Sequence, residues 1–393
     1  MDLLLKGIVW YDGKTIISGD IRIGKGVLLE TGAPLPIRKG EQVADFTNHY
    51  LYPGLINAHD HLEMNLYSHL GRPPYTNYVE WAKDIYQPTQ LPLKEIESVN
   101  INDRLLWGGL KNLISGVTTV VHHNPWHRIL GRNDFPVKVL KQIAWAHSLA
   151  LGLKIQKAFP KKRDTPFVIH AAEGIDALAF EEVAKLGDLG LIKNNTVLVH
   201  AIALNEHDQQ LLSDQTSSIV WCPASNLFMF SQTTPVQQLK GRLKIALGSD
   251  STLTGSATLL DEMKVAFKTG LAGSQEIYNM VTRVPAAIFT LPDPSLNLAH
   301  PATFFLAPRK REDYFENLMH QHPADIALVM TNGNLKLLDA EKGYEWNPLR
   351  YQMKVQGRPK YIDLDVASLR KRIEKKVSIS ILEANPLWRW IEV

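Results

Sequence analysis

Six side chains of this sequence are of the types that bind and use a metal ion, and their placement repeats. His59 and His61 stand at the end of the apolar run 55–58. His170 follows the run 167–169, and Glu173 lies three residues beyond it. His200 follows 196–199, and Asp250 follows 246–249. Residues i and i+2 of a strand point the same way, so His59 and His61 can present two imidazoles to one cation. A third imidazole and a carboxylate would complete a nitrogen and oxygen site suited to zinc or iron(II). The chain has 14 histidines, enough for a His-x-His pair to arise by chance, and a second pair, His320 and His322, does occur. That pair follows no apolar run and precedes Pro323, so it reads as loop. What sets the first group apart is its joint order of His-x-His, His, His and Asp, each directly after a strand-like run.

Such residues meet only if the runs are parallel strands whose carboxyl ends share one face, as in a (β/α)8 barrel. From 51 to 300 the pattern suits this. Apolar runs at 51–58, 117–121, 167–169, 196–199, 218–221 and 243–247 alternate with helical stretches, the rhythm of a parallel sheet. A helix over 177–186 is expected to stop at Gly187, and another to start at the N-cap Asn205. Before this region, 7–11 and 15–17 flank Asp12-Gly13, a hairpin signal. After it, 324–329 and 335–338 flank Asn332-Gly333-Asn334, a second one, expected to join the N-terminal strands. The tail beyond 340 carries little pattern.

The 393 residues exceed one ordinary domain and suit a barrel of about 250 residues plus a smaller module. Hydrophobic residues make up 45%, which supplies a large core, and charged residues 21%, which argues against disorder. With 43 basic and 40 acidic residues the formal charge is +3, so there is no electrostatic case for a nucleic-acid or membrane partner. The runs Lys161-Lys162-Arg163, Arg309-Lys310-Arg311 and Arg370-Lys371-Arg372 read as solvated surface. Cys222 is the single cysteine, which excludes an internal disulfide and a multi-thiolate zinc site. The opening Met1-Asp2-Leu3 does not resemble a secretory signal, and no apolar stretch approaches a membrane span. The expectation is a cytoplasmic protein acting on a small molecule, with a homo-oligomer left open.

At this point the chain resembles the amidohydrolase superfamily, most of all its branch of guanine deaminase, cytosine deaminase and the triazine hydrolases. Tyr52-Pro53-Gly54-Leu55-Ile56-Asn57-Ala58-His59-Asp60-His61 is similar to that superfamily's first barrel strand, and Ser115-Gly116-Val117-Thr118-Thr119-Val120 to its second. Ile169-His170-Ala171-Ala172-Glu173-Gly174 resembles the fifth, Leu198-Val199-His200-Ala201 the sixth, Trp221-Cys222-Pro223-Ala224-Ser225-Asn226 the seventh, and Gly248-Ser249-Asp250-Ser251 the eighth. The stretch 279–287 looks like a helix of the same family. The resemblance covers most of residues 1–340. It implies an α/β fold: a distorted (β/α)8 TIM-like barrel over 51–319, with a small β-sandwich domain formed by both chain ends, 1–50 and 320–393. It also implies that His59, His61, His170 and Asp250 bind one divalent ion, zinc or iron. His200 would not touch the ion but would hold the attacking hydroxide or the developing oxyanion. Glu173 would move protons between water and a substrate nitrogen, and Asp250 would also act as a base. The implied activity is hydrolysis of a C–N bond, foremost deamination of a nitrogen heterocycle. Hydrolysis of a cyclic amide, or a chlorohydrolase-type displacement, would use the same machinery. A non-catalytic scaffold is disfavoured because the ligand set is complete.

Two departures from the family pattern stand out. Only residues 122–166 separate the second strand from His170, too few for two full βα units, so a strand or helix is expected to be missing or shortened. The run 142–148 is the candidate for a surviving strand. Members with two metals use a carboxylated lysine from the fourth strand; Lys154 and Lys157 lie in range, but Glu173 favours the single-ion type. Of His122 and His123, adjacent residues that point opposite ways, one could reach the cavity. Glu63, Trp81, Trp126 and Asn226 are further candidates for substrate contact, and Cys222 reads as buried filler.

Overall fold

The computed structural model describes residues 2–151, 155–162, 164–342 and 347–393. Strands β1 (Asp2–Tyr11), β2 (Ile16–Gly24), β3 (Val27–Gly32) and β4 (Gln42–Pro53) open the chain. The expected hairpin is present: β1 and β2 pair antiparallel with Tyr11 opposite Ile16. Next come β5 (Leu55–Asp60), β6 (Val117–His122) and β7 (Lys138–Val139), a three-stranded parallel sheet. Five further parallel strands form a second sheet: β8 (Ala144–Ala146), β9 (Phe167–Ala171), β10 (Thr196–His200), β11 (Ser218–Trp221) and β12 (Lys244–Leu247). The chain ends with β13 (Phe304–Pro308), β14 (Leu328–Thr331), β15 (Asn334–Asp339), β16 (Tyr351–Val355), β17 (Arg358–Ile362) and β18 (Ile391–Glu392).

Both chain ends enter one continuous sheet of ten strands, ordered β18-β16-β17-β15-β14-β13-β4-β1-β2-β3. The seam between them is the antiparallel pair β4–β13, with Tyr52 opposite Phe305. The second expected hairpin joins β14 to β15 through Asn332 and Gly333, both with positive φ (48° and 77°), as a two-residue turn twisted to match its strands requires.

The parallel strands are buried on both sides. Ala58, Val121, Val168, Val197, Val220 and Ala246, one from each of six strands, pack into a cluster of their own. Their neighbours Ile169, Ile219, Trp221, Ile245 and Leu247 point the other way, into the larger core shared with the helices. That two-sided burial explains why the strands read as unbroken apolar runs. The amide of Asp250, just past β12, donates to the His59 carbonyl at 3.1 Å and ties the two parallel sheets at one end.

The shortening expected between the second strand and His170 is present: two short strands survive there, β7 and β8, separated only by residues 140–143, and β8 lies within the run 142–148 named as the candidate. Three other expectations need correcting. The stretch 279–287 is two helices, Ser274–Met280 and Arg283–Ile288, broken at Val281 and Thr282, where the Thr282 hydroxyl bonds back to the Tyr278 carbonyl. The helix over 177 runs on to Asp188, past Gly187; the left-handed residue that ends it is Gly190 (φ 70°). Asn205 does cap the next helix, in a capping box with Asp208. The tail is not featureless: it adds three strands, and Arg372 clamps Asp103 with both nitrogens (3.0 and 2.8 Å). No helix among the described residues is long and apolar enough to cross a membrane.

The helix Ile101–Leu113 packs against the 3-10 turn Leu62–Met64 that follows β5 and meets it through Gly108, where an added Cβ would lie 2.2 Å from the Leu62 carbonyl oxygen. Helix propensity alone favours alanine over glycine by about 1 kcal/mol. Here the clash reverses the sign, and Gly108→Ala is expected to lower stability by about 1–3 kcal/mol in urea unfolding. A more stable variant would show that the contact is loose.

Candidate metal centre and active site

The strand ends bring the six expected side chains together. His170 Nε2 lies 3.2 Å from His59 Nε2 and 3.4 Å from His61 Nε2. Asp250 Oδ1 stands 3.9 and 3.8 Å from the same two nitrogens. Adjacent ligands of a tetrahedral ion with bonds near 2.1 Å stand about 3.4 Å apart, so this spacing fits one ion. The tautomer of His170 agrees. Its Nδ1 faces the His147 carbonyl at 2.8 Å, and a carbonyl only accepts, so Nε2 keeps its lone pair. Burial, with neighbouring imidazoles second, holds His59 and His170 well below the usual imidazole range. They are therefore in the uncharged form that ligates.

His200 and Glu173 stand beside these four residues, with His200 Nε2 3.5 Å from Glu173 Oε1. His200 Nδ1 faces Asn226 Oδ1 at 2.8 Å. The Asn226 amide is itself oriented, because its Nδ2 donates to the Thr233 and Thr234 hydroxyls and Thr234 donates to the His200 carbonyl. The hydrogen of neutral His200 therefore sits on Nδ1, leaving Nε2 bare. Burial first, then the charges of Asp250 and Glu182, push the Glu173 carboxyl well above its ordinary range. Burial pushes Asp250 the same way, but His61, His200, the Ser225 hydroxyl and the Ser251 amide outweigh it and hold Asp250 low. Two carboxyls in one site are thus pushed in opposite directions.

The loops carrying these groups are strained. Ala172, His200, Ala201 and Asp250 all have positive φ (52°, 71°, 47° and 51°). Each such residue costs of order 1–3 kcal/mol unless its surroundings impose it. Around Asp250 they do. Lys111, fully buried, donates to the Asp250 carbonyl (2.9 Å), Ser249 Oγ (3.1 Å) and Asn65 Oδ1 (2.8 Å), and pairs with Asp60 at 3.3 Å. Asn57 accepts from the Ser249 amide (3.0 Å) and donates to Asn112. From the tail, Asn385 donates to the carbonyls of Asn65 and Tyr67.

A cavity of about 640 Å³ opens above the cluster. Glu173, His200 and Asp250 lie on its wall beside Met64, Trp81 and Leu253. Trp81 thus lines the cavity, with its indole nitrogen donating to the Leu70 carbonyl. Asn226 lies behind His200, Glu63 binds Asn124 at 2.6 Å, and Trp126 is a partly exposed ring under Lys141; none of the three lines the cavity. Cys222 is free and buried, as expected of filler. Lys157 is exposed, and Lys154 lies outside the described residues, as does Arg163 of the basic run. His322 meets Lys264 far from the cluster in sequence and outside the cavity wall.

Sequence reasoning missed His147, Lys111, Tyr78 and Glu182. His147 carries the same signal as the others, a histidine directly after a strand, but the strand is only three residues long. Glu182 accepts from the Ala172 amide (2.8 Å) and from Tyr78 (2.7 Å), so it braces the loop that presents Glu173. Nothing in the local pattern marks Lys111 as buried.

Residues 144–295 match the amidohydrolase family. The chain is 24% identical over 406 residues to the 5-methylthioadenosine/S-adenosylhomocysteine deaminase of Pyrococcus furiosus, covering 85% of this chain and 94% of that one. It is 26% identical over 282 residues to the enzyme of the same name from Saccharophagus degradans, covering 59% and 62%. Among solved structures, a zinc-bound adenosine deaminase from Xanthomonas campestris superposes with a TM-score of 0.69 at 17% identity, over 95% of this chain and 97% of that one. Atrazine chlorohydrolase from Arthrobacter aurescens, complexed with zinc, gives 0.73 at 15% identity, over 95% and 99%. These likenesses establish the fold as the TIM-barrel type of the amidohydrolases.

Two outcomes test the supports. Lys111→Met should cost about 3–5 kcal/mol in unfolding free energy, because it strands the buried Asp60 carboxylate; a loss under 1 kcal/mol would show Asp60 otherwise satisfied. Burial raises the Glu182 carboxyl from 4.5 to about 7. A folded value above the unfolded one gives stability that is present below pH 4.5 and lost as pH rises through 7, about 3 kcal/mol in all. Melting temperature should therefore fall less between pH 5 and pH 8 in Glu182→Gln than in the parent, and equal slopes would remove the assignment.

Proposed function

We propose that this chain, which carries an amidohydrolase-family domain, is a metal-dependent hydrolase that deaminates a nitrogen heterocycle. The observation that carries this reading is the convergence of one ring nitrogen each of His59, His61 and His170 with the Asp250 carboxyl, held low, beside a Glu173 carboxyl pushed well above its ordinary range. We take the two parallel sheets, β5 to β12, as arcs of a single distorted barrel within 51–319, and the ten-stranded sheet, which also draws β13 (Phe304–Pro308) from that range, as the module formed by both chain ends.

His59, His61, His170 and Asp250 would hold one zinc or iron(II) ion. When bound, such an ion lowers the pKa of water to about 7 and supplies a hydroxide near neutral pH. Asp250 takes a proton as the water oxygen attacks the ring carbon that bears the amine. Glu173, protonated beforehand, gives its proton to the adjacent ring nitrogen, so the carbon becomes tetrahedral without building charge on the ring. His200 offers the bare Nε2 to the second hydrogen of the attacking water and so holds the oxygen in place. The C–N bond then breaks and the amine leaves as ammonia, carrying the proton that Asp250 took, while the product hydroxyl gives up its proton, by way of His200 Nε2 3.5 Å from Glu173, to restore the Glu173 acid as the carbonyl forms. The relatives named 5-methylthioadenosine/S-adenosylhomocysteine deaminase support this bond class for this chain.

Glu173→Gln is expected to keep the metal and lose turnover by about 10²–10⁴-fold, since the amide cannot pass a proton; full activity would remove the shuttle. His59→Ala is expected to lose metal on dialysis against a chelator, read by elemental analysis, against about one ion per chain in the parent. Equal occupancy would count against the ligand set. An ammonia-release screen over purines, pyrimidines, pterins and triazines tests the reaction, and release from none of them would overturn it.

A further inference from the structure

Two imidazoles in this site are held in the same way, and only one of them has a role so far. His170 gives its Nδ1 hydrogen to the His147 carbonyl at 2.8 Å and turns Nε2 toward His59 and His61. His123, the residue after β6, faces the preceding carbonyl of the same short strand: its Nε2 lies 2.9 Å from the Ala146 oxygen. A carbonyl accepts only, so Nε2 carries the hydrogen and Nδ1 holds a bare lone pair. That Nδ1 is buried and has no hydrogen-bond partner among the described residues. One ring nitrogen each of His59, His61, His123 and His170 lies within 4.8 Å of the others. The His123 ring stacks on His170 with centroids 4.4 Å apart and meets Trp145 edge-on, which fixes its plane.

A buried lone pair without a donor costs about 1–3 kcal/mol, and no donor among the described residues reaches this one. A cation does. Two ligands on opposite sides of an ion with bonds near 2.1 Å stand about 4.2 Å apart, so the spread of these nitrogens is close to that of one coordination sphere.

Resting on the metal centre proposed above, we infer that His123 is a further ligand of that centre, binding through Nδ1. Four imidazoles and the Asp250 carboxylate then occupy five positions and leave one open. Such a set suits a six-coordinate transition ion of the iron(II), cobalt(II) or nickel(II) class better than tetrahedral zinc.

The test uses the full chain loaded with cobalt(II), whose visible absorption strengthens sharply as coordination falls from six or five toward four. His123→Ala removes the ligand, and His123→Phe does so while keeping a ring in the stack; far-UV circular dichroism selects the variants that fold. The parent is expected to give a weak band. Each folded variant is expected to give a stronger one, and a cobalt dissociation constant raised at least tenfold in competition with a chelator. A parent-like spectrum and affinity in a folded variant overturn the inference while leaving the metal centre intact. A parent that binds no cobalt overturns both. If neither variant folds, the imidazole nitrogens counted around cobalt by X-ray absorption of the parent decide, four for the inference and three against it.

Discussion

The site rests on one constraint: ionisable groups have been taken out of water at the cost of their charge. His59, His123, His170 and His200 are all buried to within a few per cent, and each imidazole is pushed down by burial before any neighbour acts. Burial of a carboxyl acts in the opposite direction, so Glu173 is held protonated. The same low-dielectric setting therefore favours the neutral forms of these imidazoles and of Glu173, while Asp250, which accepts from two hydroxyls and a backbone amide, is held low. A more open pocket would return every one of these groups to its solution behaviour.

Holding such groups in place needs a frame stiffer than the loops that bear them. The strained residues lie at the ends of β9, β10 and β12. Behind β12 is the Lys111, Asp60, Asn57 and Ser249 network; behind β9 is Glu182 with Tyr78; behind β10 is Asn226 with Thr234. Each brace comes from a different helix or loop, so no single segment sets the geometry. The tail contributes too, since Asn385 closes the loop of Asn65 to Tyr67 that lies against Thr252.

Much of the fold was legible because its signals are local. Two-sided burial makes parallel strands into apolar runs, and β5, β6, β9, β10, β11 and β12 all appear where such runs stand. Both hairpins follow from turn residues that tolerate positive φ. The failures came where tertiary contacts override local preference. Helix 274–288 breaks at Val281 because its carbonyl accepts from the Ile56 amide of the first barrel strand. Strands of two and three residues, β7 and β8, are too short to show a period at all. The tail reads as patternless because its partners lie some 270 residues away, as with Arg372 and Asp103.

The six residues of the proposed chemistry could be picked from the sequence alone, because metal ligands must be of few types and a parallel fold puts them directly after strands. What those residues do to one another could not. Which nitrogen of His170, His200 or His123 keeps its lone pair depends on a carbonyl or amide brought from another segment, and which carboxyl is pushed toward its protonated form depends on distances of three to four ångströms among the strand ends. Residue type and strand position are properties of the chain; tautomer, protonation and the burial that enforces them arise only when the chain has closed around itself and excluded water.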